Sequence, residues 1–250
     1  MSSTAEQFKR YQESLASHLR YEQAQRNLVE LHDLKSPLRV LDAAGGNGLN
    51  TEFMLQRGHT VTLLDNDPEM LKQAKERIGP MGLLARCTLV DGTVEGVADQ
   101  VPHNHFDLVI CHHAIEYTKE APAVLRAFGK VLRSGGELSL VTLNPVSEVI
   151  RAIVFKHDPE LARSRVTDLR YDARWFGNAI MYTFEDVVRW GEEAGLKLRD
   201  YRAIRVLADL LGERLTSANE ESALKLELEL AGREPYRRFG RYFQFCMRKS

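Results

Sequence analysis

The chain has 250 residues, of which 44% are hydrophobic and 28% charged, which is typical of a globular protein with its own core and excludes a largely disordered chain. The formal net charge of -1 excludes nucleic-acid binding through an overall basic excess, so any such contact must come from a local patch. Residues 1–12 contain no apolar run of signal-peptide length, and no stretch reaches the roughly 18 apolar residues of a membrane span. We therefore expect a cytoplasmic protein without a membrane partner.

The first part of the chain alternates between helical and strand patterns. Leucines at helical spacing predict a helix over residues 5–34, which ends before Pro37. Short apolar runs predict strands over residues 38–43, 60–65, 85–90, 106–112 and 137–144. Helices are predicted between them over residues 50–57, 67–78 and 120–132. This alternation predicts a parallel sheet with helices on both faces.

The second part of the chain departs from this rhythm. Residues 145–182 are interpreted as an insertion, and a helix is predicted from Thr183 to Gly195. Strands are predicted over residues 197–206 and 242–247, and a helical segment over about 207–232. We expect a single domain over 1–250, with residues 1–36 as a helical cap. Residues 145–182 and 207–238 are expected to be lid or substrate insertions.

The three cysteines are Cys87, Cys111 and Cys246, and all lie in predicted strands. None belongs to a CxxC pair, so the spacing typical of a zinc site is missing. We interpret them as buried, reduced thiols and predict no metal site.

A turn rich in small residues follows the first strand and leads into a helix. It reads Asp42-Ala43-Ala44-Gly45-Gly46-Asn47-Gly48. Small residues let the backbone approach a ligand closely, and the free amides of the helix N-terminus can bind a pyrophosphate or a carboxylate. A plain tight turn is the alternative interpretation.

Asp65 ends the second strand, about 20 residues beyond the glycines, where an acid can accept hydrogen bonds from a ribose diol. Either Asp65 or Asp67 could instead cap the next helix. We assign the cap to Asp67 and the ribose to Asp65. A nicotinamide cofactor normally requires the fuller GxGxxG spacing, which this loop lacks.

Four segments resemble, in order and spacing, the motifs of class I S-adenosylmethionine-dependent methyltransferases. They are the loop that follows Asp42 and residues 91–94, 106–112 and 132–138. The resemblance implies an α/β, Rossmann-like, doubly wound fold with a mainly parallel seven-stranded sheet, an antiparallel last strand and helical lid insertions. It also implies S-adenosylmethionine as the cofactor. Ala44 stands where the family usually has its first glycine, and its methyl group can be tolerated if the backbone there is not left-handed.

Other segments resemble one branch, the bacterial tRNA methyltransferases that esterify 5-carboxymethoxyuridine at the anticodon wobble position. The specific segments are residues 204–209, 233–236 and 240–242, which generic methyltransferases lack. Leu19, Asn144 and residues 112–117 and 182–183 also fit this branch. The resemblance implies a cofactor pocket lined by Arg20, Ala44, Gly45, Gly46, Asp65, Thr93, Val94 and His112.

A carboxylate acceptor is already ionised at neutral pH, so the reaction requires no general base and we assign no catalytic residue. Arg205 and Arg241 are candidates to bind the acceptor carboxylate, with surface salt bridging as the alternative. Tyr236 and Tyr242 could stack on a base, although core packing is the usual role of a tyrosine.

Two adjacent histidines follow the fourth predicted strand. For His112 we favour a hydrogen bond to the cofactor or the backbone over the general base that a hydroxyl or amine acceptor would need. His113 should point the opposite way if the strand persists.

The leading hypothesis is therefore a tRNA wobble-uridine carboxyl methyltransferase. A small-molecule O- or N-methyltransferase with the same fold is the second, since fold does not determine the acceptor. A cofactor-binding protein without methyl transfer is the third. Clustered tail arginines support tRNA binding: they are Arg233, Arg237, Arg238 and Arg241. The basic residues of the insertion are nearly balanced by acids and form either a tRNA contact or a solvated, mixed-charge face.

Overall fold

The computed structural model of the chain describes residues 14–173 and 177–250, and within these ranges seven strands form one sheet. The strands are β1 (Arg39–Ala43), β2 (Thr60–Asp65), β3 (Cys87–Asp91), β4 (Phe106–His112), β5 (Leu132–Leu143), β8 (Leu196–Ile204) and β9 (Tyr242–Lys249). Their order across the sheet is β3-β2-β1-β4-β5-β9-β8. Strand β1 runs parallel to β2 and β4, β2 to β3, and β4 to β5. The predicted mainly parallel sheet with an antiparallel last strand is confirmed.

Helices connect and flank these strands. They are α1 (Leu15–Leu31), α2 (Leu49–Gln56), α3 (Pro68–Ile78), α4 (Val97–Gln100), α5 (Ala121–Val131), α6 (Pro145–Lys156), α7 (Pro159–Arg165), α8 (Phe184–Glu193), α9 (Ala208–Leu211) and α10 (Glu220–Ala231). No helix in the described part of the chain has the length and apolar character needed to cross a bilayer.

The chain divides into two compact units. The first unit comprises Met1–Asn27, Thr142–Phe184 and Tyr201–Gln244, and the second comprises Leu28–Val141, Glu185–Asp200 and Phe245–Ser250. A single domain with a helical cap and two insertions stays a prediction.

In the second unit, the central strands are apolar on both faces, as parallel strands covered by helices must be. Val40, Leu63 and Ile110 have no exposed surface. Helix residues pack against the strands in one cluster that includes Leu28, Val40, Met54, Leu55, Val61, Ile78, Leu108 and Ile110. This core fixes the ends of β1, β2 and β4, which carry the polar residues described below.

Two features differ from the sequence-based predictions. The helical segment predicted over 207–232 is interrupted, because α9 ends at Leu211 and α10 begins only at Glu220. Between them Asn219 holds a turn by accepting from the Thr216 N–H at 2.8 Å. The insertion also contains an antiparallel hairpin, β6 (Arg170–Ala173) and β7 (Gly177–Ile180), that was not predicted. Helix α1 begins at Leu15, and residues 5–13 of the predicted helix lie outside the described residues.

Candidate functional site

The loop between β1 and α2, in the second unit, has a backbone that only small residues permit. A Cβ on Gly45 would lie 2.7 Å from Leu63 Cγ and 2.9 Å from the Asp42 carboxyl group, so no side chain fits there. Gly46 has φ +54, and a Cβ at that position would meet no protein atom within 4 Å. The loop is therefore packed tightly on the Gly45 side and open at Gly46, where a ligand can approach the backbone.

Ala44 lies in the left-handed region, with φ 55. The condition under which a methyl group could be tolerated there, a backbone that is not left-handed, is therefore not met. The loop keeps the conformation that favours glycine, and Ala44 accepts the associated strain of about 1 kcal/mol.

We predict that Ala44→Gly raises the free energy of unfolding by about 1 kcal/mol, because glycine adopts a positive φ without strain. Urea denaturation should show a higher midpoint with an unchanged slope. Ala43→Gly is the matched control: Ala43 is buried in β1, so glycine should destabilise the protein there. A lower midpoint for Ala44→Gly would contradict the strain.

Asp65 links the end of β2 to this loop. Its Oδ2 accepts from the Gly46 N–H at 2.8 Å, and its Oδ1 accepts from the Asp67 N–H at 3.0 Å. A carboxylate offers about four acceptor positions, so capacity remains for a diol. Asp67 accepts from the Glu69 N–H at 2.9 Å and caps α3, which confirms its predicted role.

Asp42 is fully enclosed at the end of β1 and accepts a hydrogen bond of 2.7 Å from the Thr51 hydroxyl. Burial raises the pKa of its carboxyl to about 6, and the negative charge of Asp65 contributes to the rise. Burial also raises the pKa of Asp65. The two acids make this site negative at neutral pH, which favours a cationic ligand.

Thr93 and Val94 follow β3, which ends at Asp91. Val94 is buried, whereas Thr93 is exposed and accepts from the Gly96 N–H at 3.2 Å. Their predicted role in the cofactor pocket stays a prediction.

His112 ends β4, and both of its ring nitrogens contact side chains. Nε2 lies 2.9 Å from Ser139 Oγ, and Nδ1 lies 3.4 Å from Asn50 Nδ2. These contacts hold the ring in one orientation, and the interaction of His112 with the cofactor stays a prediction. The strand does not persist to His113, which has φ 60.

In the first unit, the carboxylate of Asp209 binds three arginines. Arg205 and Arg151 form close ion pairs with it, and Arg241 Nη1 lies 3.3 Å from its Oδ2. Glu148 pairs with two of these arginines, 3.4 Å from Arg151 Nε and 3.7 Å from Arg241 Nη1. We call these five residues the arginine cluster.

Two tyrosine hydroxyls complete the hydrogen bonds of Arg241. Its Nε donates to Tyr242 at 3.1 Å, and its Nη2 donates to Tyr171 at 3.1 Å. Both Arg205 and Arg241 form salt bridges, as the alternative interpretation had it, but their side chains are each only 11% exposed, so these ion pairs are not on the surface. Tyr236, which we also expected to bind substrate, is 42% exposed in the turn Tyr236–Arg238, and its role stays a prediction.

Arg20 also belongs to the first unit. It is 6% exposed, and its guanidinium lies 4.5 Å from the ring centre of Tyr21 and 6.0 Å from that of Tyr242. Its predicted contact with the cofactor stays a prediction.

The arginine cluster has more positive than negative charge. As defined, it holds three arginines, Arg151, Arg205 and Arg241, and two carboxylates, Asp209 and Glu148. Burial alone would raise the pKa of the Tyr242 hydroxyl. The positive charges of Arg241, Arg20 and Arg205 have the larger, opposite effect, so the pKa is lowered to about 8. A partly buried site with excess positive charge fits an anionic ligand.

Sequence reasoning did not single out Glu148, Arg151 or Tyr171. The only local signal was the i, i+3 spacing of Glu148 and Arg151, which is common on solvated helices. Their association with Asp209 depends on tertiary structure.

The three cysteines lie in β3, β4 and β9, as predicted, and Cys111 and Cys246 are buried. Among the described residues, His32, Glu137 and Cys246 place donor atoms within 4.8 Å of one another. Arg199 also pairs with Glu137, and burial raises the pKa of the Cys246 thiol to about 12. Both effects oppose metal binding, which requires a free carboxylate and a thiolate.

Comparison with known proteins identifies the class of this chain. The family model for a methyltransferase domain matches residues 41–140. The solved structure of an S-adenosylmethionine-dependent methyltransferase from Mesorhizobium loti superposes with a TM-score of 0.66 at 16% identity, covering 90% of this chain and 96% of the other, and shows the shared fold.

Two curated methyltransferases are similar to this chain in sequence, one over most of its length and the other over about two thirds. The tRNA 5-carboxymethoxyuridine methyltransferase of Escherichia coli K12 is 29% identical over 213 residues, 85% of this chain and 80% of the relative. A ubiquinone biosynthesis O-methyltransferase of Xanthomonas euvesicatoria is 30% identical over 170 residues, 65% of this chain and 64% of the relative. The chain is an S-adenosylmethionine-dependent methyltransferase.

The chemistry of the second unit fits this cofactor. The cofactor carries a sulfonium and an ammonium against one carboxylate, so it is a net cation, and Asp42 and Asp65 supply negative charge. The open backbone at Gly46 accommodates a close approach. These observations support the assignment of the loop and Asp65 to cofactor binding.

We predict that affinity for S-adenosylmethionine falls up to about tenfold between pH 7 and pH 5, because a cation binds the ionised form of Asp42 and the carboxyl becomes protonated below pH about 6. Calorimetric titration across this range tests it. Asp42→Asn should bind more weakly and lose this dependence. A wild-type affinity that is constant from pH 5 to pH 7 would contradict the prediction.

Proposed function

We propose that this methyltransferase forms the methyl ester of 5-carboxymethoxyuridine at the wobble position of tRNA, and that it does so in the cytoplasm. The observation that carries the proposal is the arginine cluster, whose excess positive charge fits a carboxylate acceptor. Similarity to the Escherichia coli tRNA methyltransferase over 85% of the chain supports the same acceptor.

The proposed roles follow from the charges of the two partners. When bound, S-adenosylmethionine supplies an electrophilic methyl group. Asp65 would accept from its ribose, the backbone of Gly45 and Gly46 would bind it closely, and Arg20, Ala44, Thr93, Val94 and His112 are the further residues that would hold it. Arg205 and Arg241 bind the acceptor carboxylate, remove its water and orient one oxygen for in-line attack. Because that oxygen is already anionic, no residue has to remove a proton.

Binding to tRNA also requires contacts with phosphates. Arg233 and Arg238 are exposed near the end of the chain, and Arg237 is partly exposed beside Glu234, at 2.7 Å. Tyr236 is exposed in the same segment and is available to stack on a base. A few phosphate contacts on a nearly neutral chain imply weak, salt-sensitive tRNA binding.

The direct test incubates the purified protein and S-adenosylmethionine with bulk tRNA that contains 5-carboxymethoxyuridine. Nucleoside mass spectrometry should show the free acid converted to its methyl ester. tRNA from a strain that cannot make the carboxymethyl group serves as the matched control and should gain no methyl group. No ester on tRNA that contains the precursor would overturn the proposal.

A second candidate is a small-molecule O-methyltransferase, and the similarity to the ubiquinone biosynthesis enzyme over 65% of the chain favours it. A phenolic acceptor requires loss of a proton, and His112 is then the candidate base. A metabolite extract assayed beside the tRNA separates the two: methyl transfer to the extract and not to tRNA supports this candidate.

A further inference from the structure

Glu227 is a buried carboxylate that the proposed reaction does not use. It lies on α10 in the first unit, with 1% of its surface exposed. One oxygen accepts from the Val206 N–H at 2.6 Å, and the other accepts from the N–H groups of Leu207 at 2.7 Å and Ala208 at 2.6 Å. A buried charge is costly unless it is hydrogen-bonded, and three backbone donors provide those bonds.

Gln23 extends this contact by one residue. Its Oε1 accepts from the Arg205 N–H at 2.9 Å, and its Nε2 donates to the Glu227 backbone oxygen at 3.2 Å. Two side chains thus bind four consecutive backbone amides, from Arg205 to Ala208. The backbone oxygen of Arg205 in turn accepts from the Arg241 N–H at 3.0 Å.

The segment held in this way carries two members of the arginine cluster. Strand β8 ends at Ile204, and α9, which contains Asp209, begins at Ala208. Arg205 has φ 58, a left-handed conformation that a residue with a Cβ adopts only where its surroundings impose it. The hydrogen bonds to Glu227 and Gln23 hold the backbone in this conformation, and the backbone conformation in turn sets the direction of the Arg205 side chain.

We propose that Glu227 and Gln23 are positioning residues that fix Arg205 and Asp209 for binding of the acceptor anion. This inference rests on the proposed function, because Arg205 is assigned there to the acceptor carboxylate. Glu227 does not touch the substrate itself: its oxygens are occupied by backbone amides, and it acts through the conformation of the segment.

A double-mutant cycle with Glu227→Gln and Arg205→Ala tests the proposal. Glu227→Gln keeps the shape but turns an amide group towards backbone donors, and we expect the acceptor KM to rise about tenfold with an unchanged Kd for S-adenosylmethionine. In the Arg205→Ala background, the same substitution should change the KM by less than about twofold, because the residue it positions is gone. Glu229→Gln, an exposed position on the same helix, is the matched control.

An equal rise in both backgrounds, or no rise in either, would overturn the proposal. If Glu227→Gln does not fold, Gln23→Met replaces it in the cycle, because it removes the acceptor for the Arg205 N–H and the amide donor to the Glu227 backbone oxygen but leaves the Glu227 carboxylate in place.

A second readout does not depend on the identity of the acceptor. Arg205 helps to lower the pKa of Tyr242 to about 8, so displacement of Arg205 should raise this pKa. Tyrosine absorbance is titrated with pH for the wild type and Glu227→Gln, each against its own Tyr242→Phe derivative. An upward shift supports the positioning role even if tRNA is not methylated, and an unchanged Tyr242 titration counts against it whatever the acceptor is.

Discussion

Replacement of Asp65 by alanine is expected to weaken the binding of S-adenosylmethionine by about 100-fold or more, because two hydrogen bonds to a charged acceptor contribute roughly 1.5–3 kcal/mol each. The carboxylate already accepts from Gly46 and Asp67, so its removal also frees the loop that the cofactor contacts. Calorimetry of wild type and variant measures the loss. Asp67→Ala is the control: it removes a helix cap and should leave the affinity unchanged.

The contact with the ribose can be separated from the effect on the loop. Wild-type protein should prefer S-adenosylhomocysteine over its 2′-deoxy analogue, since the analogue leaves the Asp65 carboxylate short of a donor. Asp65→Ala should bind both ligands equally, because the group that distinguishes them is gone. If Asp65→Ala still binds S-adenosylhomocysteine more tightly than the 2′-deoxy analogue, Asp65 does not contact the ribose, even if the variant binds both ligands weakly.

The sheet could be predicted from sequence because its determinants are local. Each parallel strand is a short apolar run, and each βα turn is marked by small residues or by an aspartate such as Asp67. The interruption of the helical segment over 207–232 was missed for a related reason. Its apolar spacing is helical, but Gly212 with φ +53 and the turn that Asn219 holds interrupt it. Such a turn depends on side-chain hydrogen bonds that periodicity does not detect.

The two groups of candidate residues, one in each unit, differ in how far the sequence predicts them. Asp42, Gly45, Gly46 and Asp65 occupy the ends of two neighbouring strands, so their proximity follows from the order of the sheet. Members of the arginine cluster come from α6, the segment after β8, α9 and the residue just before β9, and no spacing rule connects them. In the sequence, the charged residues of the insertion look balanced and solvated. In the structure they fall into two groups: Arg151 pairs with Asp209, whereas Arg163 is exposed.

Arg205→Ala is expected to lower kcat/KM for an anionic acceptor by about 100-fold, roughly 3 kcal/mol, because the acceptor carboxylate loses a charged, bidentate donor. The fold should survive, since Asp209 keeps its ion pairs with Arg151 and Arg241 and is not left as an unpaired charge. The Kd for S-adenosylmethionine should stay unchanged. Steady-state kinetics with varied acceptor and calorimetry with the cofactor measure the two effects separately.

Two further variants decide whether the loss comes from the arginine fork itself. Arg205→Lys restores the charge without the planar fork and should recover only part of the activity. Arg214→Ala removes an exposed arginine from the same unit and should behave like the wild type. Full recovery with lysine would mean that charge alone binds the acceptor. Equal losses of acceptor turnover and cofactor affinity in Arg205→Ala would remove Arg205 from the acceptor site, because a residue that binds only the acceptor has no contact through which to weaken the cofactor.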